Sequence, residues 1–156
     1  MNIITLLEKN LDFVVEKSCT QITDVKLKGY AKSGSIMTKQ KLTNLYKKVI
    51  ECAKKKELIP MLHYTEKIAR ERFASGYDLH EVQTAINSLE ENIWQLIFKE
   101  IKPAKLAESL GLVSSILGAG KDNLARNYVA LATKTKVSTI NLQNLLSGSE
   151  SIADNL

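Results

Sequence analysis

The chain has 156 residues, 44% of them hydrophobic and 25% charged, with only 7 glycines and 2 prolines. That length supports one domain with a core needing no disulfide or metal staple, and the composition excludes disordered, collagen-like and low-complexity classes. The formal net charge is +5, with 15 basic and 8 acidic side chains in residues 1–72 against 7 and 9 in residues 73–156.

In chain order, the start Met1-Asn2-Ile3-Ile4-Thr5-Leu6-Leu7 meets Glu8 almost at once, so no secretory leader is expected. Ile3, Leu7, Leu11, Val14 and Val15 recur at helical spacing and predict a first helix over about Asn2 to Ser18. Gly29 and Gly34, with Ser33 and Ser35, predict a loop near the middle of residues 20–37. A second helix is expected from about Thr38 to Lys55, with Leu42, Leu45, Tyr46, Val49 and Cys52 or Ala53 as its apolar stripe.

This region also concentrates positive charge: Lys26 to Lys56 carries ten lysines against one acid, Glu51. A basic face of Lys39, Lys47, Lys48, Lys54, Lys55 and Lys56, extended by Lys26, Lys28, Lys32 and Lys41, can meet phosphate or an acidic partner. The plainer reading is a solvated lysine-rich face. Nucleic-acid readers more often carry arginine forks and interleaved aromatics, and Tyr30 and Tyr46 are the only aromatics in this block.

Pro60 suits the first turn of a third helix that buries Leu62, Ile68, Ala69 and Phe73 and stops at Ser75-Gly76. Asp78-Leu79-His80-Glu81 has the spacing of a capping box and marks the start of a fourth. Behind it Val82, Ile86, Leu89, Ile93, Leu96, Ile97 and Ile101 form one long stripe, with Trp94 and Phe98 beside it. Pro103 opens a fifth helix carrying Leu106, Leu110, Val113 and Leu117. At Gly118-Ala119-Gly120 the chain either breaks or continues as a weak helix, and from Asp122 the helical pattern resumes.

Leu117, Leu124, Leu131, Ser138 and Leu145 stand seven apart, which hints at a coiled-coil seam. Leu117, Leu124, Tyr128 and Leu131 are the candidate contacts of that seam. Residues 147–156 are Ser- and Gly-rich and read as a fraying tail behind a domain spanning residues 1–146. The expected architecture is all-α: a single-domain bundle of about five to six helices, with a long C-terminal helix.

Chemistry is sparse in this pattern. Cys19 and Cys52 have no metal or redox spacing and read as small buried side chains in a reducing cytoplasm. The charge-free runs Ser109 to Gly120 and Val137 to Ser149 fall short of the ~18 apolar residues of a membrane span. Gly118-Ala119-Gly120-Lys121 superficially suggests a phosphate loop. Ser115 and Asp122, however, stand where that loop needs glycine and a Ser or Thr, and a helix precedes it instead of a strand.

The two histidines, His63 and His80, have Pro60 and Tyr77 three residues before them, so the Glu-x-x-His pattern of a di-iron bundle fails. His63 shares a helical face with Glu66, and Cys52 is a third group that can approach, without zinc-type spacing. No nucleophile–base context surrounds the serines, and no catalytic residue, metal or cofactor is assigned. His63, Trp94 and Tyr128 are the candidates should the bundle hold haem or another small ligand. For Trp94 and Phe98, spacing alone does not separate pocket lining from plain core.

The run Arg70-Glu71-Arg72-Phe73-Ala74-Ser75-Gly76-Tyr77-Asp78-Leu79-His80-Glu81-Val82-Gln83-Thr84-Ala85-Ile86, with Asn92-Ile93-Trp94-Gln95-Leu96 after it, resembles the N-terminal helical domains of RsbR-type proteins. These are the RsbT co-antagonists of bacterial stress signalling, and the likeness is greatest to the RsbRD-like N-terminal family. It extends over about residues 3–133 and is specific around residues 70–97. It implies a non-enzymatic regulatory or sensory input module, often dimeric, whose kin include relatives of the globin fold without haem. A signalling protein partner and a homodimer are the expected associations, in the cytoplasm. The lysine-rich block departs from the family pattern, and no output domain follows within these residues. The stimulus and the partner are not written in the residues.

Overall fold

The computed structural model describes residues 1–25 and 28–147, with side-chain surroundings at residues 1–22 and 38–134. Among them the chain forms six helices and no strand: α1 (Ile3–Lys9), α2 (Leu11–Val25), α3 (Lys28–Lys55), α4 (Ile59–Ala74), α5 (Leu79–Glu100) and α6 (Pro103–Ser147). The all-α expectation holds. Lys26, the side chains of Lys28 and Lys32, those of Ser138 and Leu145, and the tail at 148–156 lie outside the described residues.

Two boundaries differ from the sequence reading. The predicted first helix is split at Asn10, which leaves helical geometry at φ −114° and ψ 14°. Its backbone N–H donates to the Leu7 carbonyl and its side-chain amide donates to the Leu6 carbonyl at 2.9 Å. Asparagine competes for local backbone groups in this way, and one such residue inside an apolar period is enough to end a helix. The loop expected around Gly29–Ser35 is helical instead, and α3 begins at Lys28. A helical glycine costs only about 1 kcal/mol, and 28 residues of α3 contain no proline to stop it.

The other helix ends follow local chemistry. Asn2 caps α1 by accepting from the Thr5 N–H at 2.9 Å. Pro60 occupies the first turn of α4, and Gly76, at φ +86°, turns the chain after it while Tyr77 N–H reaches back to the Arg72 carbonyl. The Asp78–Glu81 capping box is present in both directions and opens α5. Through Gly118-Ala119-Gly120 the helix does not break, so α6 runs 45 residues.

Lys56 ends α3 in the left-handed region at φ 55°, and Glu57 N–H closes a bond back to the Cys52 carbonyl. That is a cap geometry suited to glycine, and a lysine there is strained by about 1–2 kcal/mol. Lys56→Gly is therefore expected to raise the unfolding free energy by about 0.5–1 kcal/mol, once glycine's larger unfolded-state entropy is subtracted. A lower denaturation midpoint for the variant would contradict this.

The core lies where α3, α4, α5 and α6 converge, with α2 closing the α3–α5 side and α1 plugging one end. Leu42, Leu45, Tyr46 and Val49 come from α3, and the predicted α5 stripe is buried throughout. From α4, Ile68 and Ala69 are buried as expected, but Met61, Thr65 and Arg72 are buried too, while Leu62 and Phe73 are only half-buried. Tyr46 sits fully inside and donates its hydroxyl to the Leu7 carbonyl at 2.7 Å, tying α1 to α3. Helices α4 and α6 approach closely at Gly120, where an added Cβ would stand 2.9 Å from the Met61 sulfur.

Candidate functional site

Helices α2 and α5 run antiparallel and are joined by a polar seam. Asn92, only 4% exposed, donates to Ser18 Oγ at 2.9 Å and to Gln21 Oε1 at 2.8 Å; Ser88 donates to the same Gln21 oxygen. The seam reaches the surface where Lys17 Nζ donates to Gln95 Oε1 at 2.9 Å. One turn beyond that bond, toward the same end of the molecule, stand Phe13 on α2 and Phe98 on α5, each 61% exposed. Trp94, one turn before Phe98 on α5, is 38% exposed. Three aromatics thus mark the outer surface of this helix pair. This corrects the sequence reading of Trp94 and Phe98 as core or pocket lining: they flank the buried stripe at an angle that turns them to solvent.

The other sequence candidates are dispersed. Leu117, Leu124 and Tyr128 are buried in the chain's own core and Leu131 is half-buried, which corrects their assignment as a free seam. The face that carries this spacing lies on the inner side of α6, which packs against α4, α5 and α3. Tyr128 donates to the Tyr77 carbonyl at 3.2 Å and meets the Phe73 ring edge-on, with centroids 5.7 Å apart. His63 is exposed beside an open polar depression of about 450 Å³, whose lining includes Lys48, Glu51, Lys55 and Lys67 but neither Trp94 nor Tyr128. The three ligand candidates therefore do not share that cavity. Cys52 is buried while His63 faces outward, and Glu66 pairs with Arg70 instead. A cavity of about 30 Å³ among Leu42, Leu45, Ile68, Val82 and Ile86, edged by Lys41 and Arg72, has room for one or two waters.

Carboxylates are interleaved with the basic face. Lys39 pairs with Glu16, Lys41 with Glu71, Lys54 with Glu8, and both Lys48 and Lys55 with Glu51. Lys47 is exposed, and Lys56 belongs to the turn that caps α3 rather than to a helix face. The lysine block contains one acid in sequence, but the fold brings Glu8, Glu16 and Glu71 to it from other helices. Lys121, the lysine of the phosphate-loop lookalike, lies within α6 and pairs with Glu90 at 2.9 Å. Among the described residues no three metal-ligating side chains gather, and no helix is long and apolar enough to cross a membrane.

These contacts shape the titration. Bonding to Lys48 and Lys55 lowers the Glu51 carboxyl, and bonding to Lys41 lowers that of Glu71. Burial raises the phenols of Tyr46 and Tyr64 and pushes Tyr128 up to about 12. Lowered carboxyls stabilise the fold above their unfolded pKa and lose that contribution as pH falls through the folded one. Raised phenols stabilise it fully below their unfolded pKa of about 10 and lose that contribution as pH rises through the folded value. Burial raises the Cys19 and Cys52 thiols as well, so the expected profile is a plateau between roughly pH 5 and 8.5, falling on both sides. Thermal melts across pH that continue to rise above pH 10 would contradict it.

No family model, no curated protein and no solved structure matches this chain.

Proposed function

We propose that this chain is a non-enzymatic regulatory helical domain that acts by associating with protein, an input module of the stress-signalling kind that the residues around 70–97 resemble. The observation that carries the reading is the exposure of three large aromatics, Phe13 on α2 with Trp94 and Phe98 on α5. Large aromatics at the surface supply area and rigidity for association, and an exposed apolar patch of this sort marks a contact site. The carboxylates paired with Lys39, Lys41, Lys48, Lys54 and Lys55 favour a protein partner over nucleic acid, because they lessen the net field that phosphate binding requires. The same proposal sets the module in the cytoplasm, in keeping with the absence of a membrane-spanning helix among the described residues.

The test is a photo-crosslinking residue at position 98, expressed in the native cell, with the same residue at exposed Lys105 as control. An adduct with protein at 98 and none at 105 is the expected result. No adduct at 98, with the variant folded and expressed, overturns the reading.

A further inference from the structure

The surface between α3 and α4 is grooved. The two helices are antiparallel neighbours, tied by Lys41 to Glu71 and by the Tyr64 hydroxyl, which donates to the Lys41 carbonyl. Lys48, Glu51 and Lys55 share one stripe of α3 at spacings of three and four, and Pro60, His63 and Lys67 share the facing stripe of α4. Together they wall the open depression of about 450 Å³, which Glu57 and Ile59 close at the turn between the helices. That volume suits a ligand rather than a few waters.

Two observations mark the closed end. Residues 54–59 are exposed in an unbroken run, and within it Leu58 and Ile59 place two large aliphatics in solvent, 40% and 55% exposed. Lys56 is held in the left-handed region at φ 55°, where glycine is at ease, so this corner keeps a lysine ammonium in spite of backbone strain. Charge along the groove is mixed, with bases in excess: Lys41, Lys48, Lys55, Lys56 and Lys67 stand against Glu51, Glu57 and Glu71. Glu51 is taken up by Lys48 and Lys55, and Glu71 by Lys41, with Lys67 4.0 Å from its other oxygen. Lys54 is turned instead to Glu8 of α1.

We infer that this groove seats a short acidic segment of a partner protein, its carboxylates on Lys55, Lys56 and Lys67 and its aliphatic side chains on Leu58 and Ile59. The surface lies on other helices than the aromatics of α2 and α5, and the inference stands apart from the association reading made there. A peptide complements this wall better than phosphate does. Backbone N–H groups of a peptide find an acceptor in Glu57, which repels phosphate, and no arginine fork lines the depression. A lipid surface would meet the aliphatics at the tip but leave Lys67 behind, eight residues or about 12 Å along α4.

The test selects peptides from a random library displayed on phage against the full chain, then measures the leading peptide by fluorescence anisotropy. The expected peptide combines aspartate or glutamate with leucine, isoleucine or valine, and its affinity falls as salt rises from about 50 to 300 mM. Lys67→Glu should weaken it about tenfold and Ile59→Ser about fivefold. Lys56→Gly should bind about threefold more weakly although its fold gains stability, a split that a purely structural lysine would not give. Phe98→Glu, on the other surface, should bind as the parent does. Circular dichroism checks that each variant remains helical.

Enrichment of no peptide, or of peptides indifferent to Lys67→Glu, Ile59→Ser and Lys56→Gly, overturns the inference. So does a single-stranded oligonucleotide or an anionic vesicle that binds through these lysines more tightly than the peptide. An adduct at position 98 with no peptide selected leaves the association reading standing while the groove falls, and a selected peptide with no adduct at 98 does the reverse.

Discussion

Tyr46→Ala is expected to lower the unfolding free energy by about 3–5 kcal/mol, the cost of emptying a fully buried aromatic site. The ring projects from α3 into the core with no exposure, and its hydroxyl donates to the Leu7 carbonyl. The substitution thus removes both core volume and the link that holds α1 in place. Tyr46→Phe separates the two contributions: it keeps the ring and should lose only about 0.5–1.5 kcal/mol, the net value of one hydrogen bond. Against a total of about 5–15 kcal/mol for a domain, the alanine variant stands near the edge of folding. Urea titrations followed by circular dichroism measure both. An alanine variant within 1 kcal/mol of the parent would mean that α1 and α3 are not packed as described.

Gly120→Leu should cost about 3 kcal/mol, because α6 already lies against α4 with no space for a side chain. An added Cβ stands 2.9 Å from the Met61 sulfur, 3.0 Å from its Cγ and 3.3 Å from the Thr65 methyl. Met61 itself is fully buried, so it has little room to retreat. Gly120→Ala is the graded comparison. It gains about 1 kcal/mol of helix propensity and gives up a similar amount in displacing Met61, so it should be nearly neutral. Met61→Ala opens room at the same spot, and Gly120→Leu combined with it should cost less than the two separate losses added together. Strict additivity of the pair would place Gly120 away from Met61.

These two sites differ in how legible they were. The stripe containing Tyr46 stands out from helical spacing alone, as does the α5 stripe from Val82 to Ile101, because a repeated apolar period reports that one face is covered. It does not report what covers it. The period through Leu117, Leu124, Tyr128 and Leu131 reads as a seam for another molecule, whereas the chain's own helices cover most of that face. Trp94 and Phe98 show the converse error: a position just off the stripe can be core or surface, and a rotation of a few tens of degrees decides. In sequence Gly120 reads as a weak point in a helix, and its use as a close-approach site depends on which helix lies opposite.

Polar residues were the least legible. Ser18, Asn92, Thr65 and Arg72 are buried, yet their types suggest solvent. Ser18 and Thr65 donate to carbonyls one turn back in their own helices, Arg72 lies over the Tyr77 ring, and Asn92 depends on Ser18 and Gln21 of α2. The same holds for charge. Glu51 is the one acid within the lysine block, and the pairing of Lys39, Lys41 and Lys54 depends on Glu16, Glu71 and Glu8, which are remote in sequence. The break at Asn10 and the early start of α3 are errors of punctuation, where a single Asn outweighed a period and two glycines did not.

The seam of Ser18, Gln21, Ser88 and Asn92 restricts how this bundle can change shape. A slide of α2 along α5 by one turn, about 5.4 Å, would strand the Asn92 amide against hydrocarbon with neither of its acceptors in reach. Piston motion between these two rods is thereby disfavoured, whereas a small pivot about the Asn92 bonds preserves them. Relative motion of this pair of helices should accordingly be tilt rather than translation.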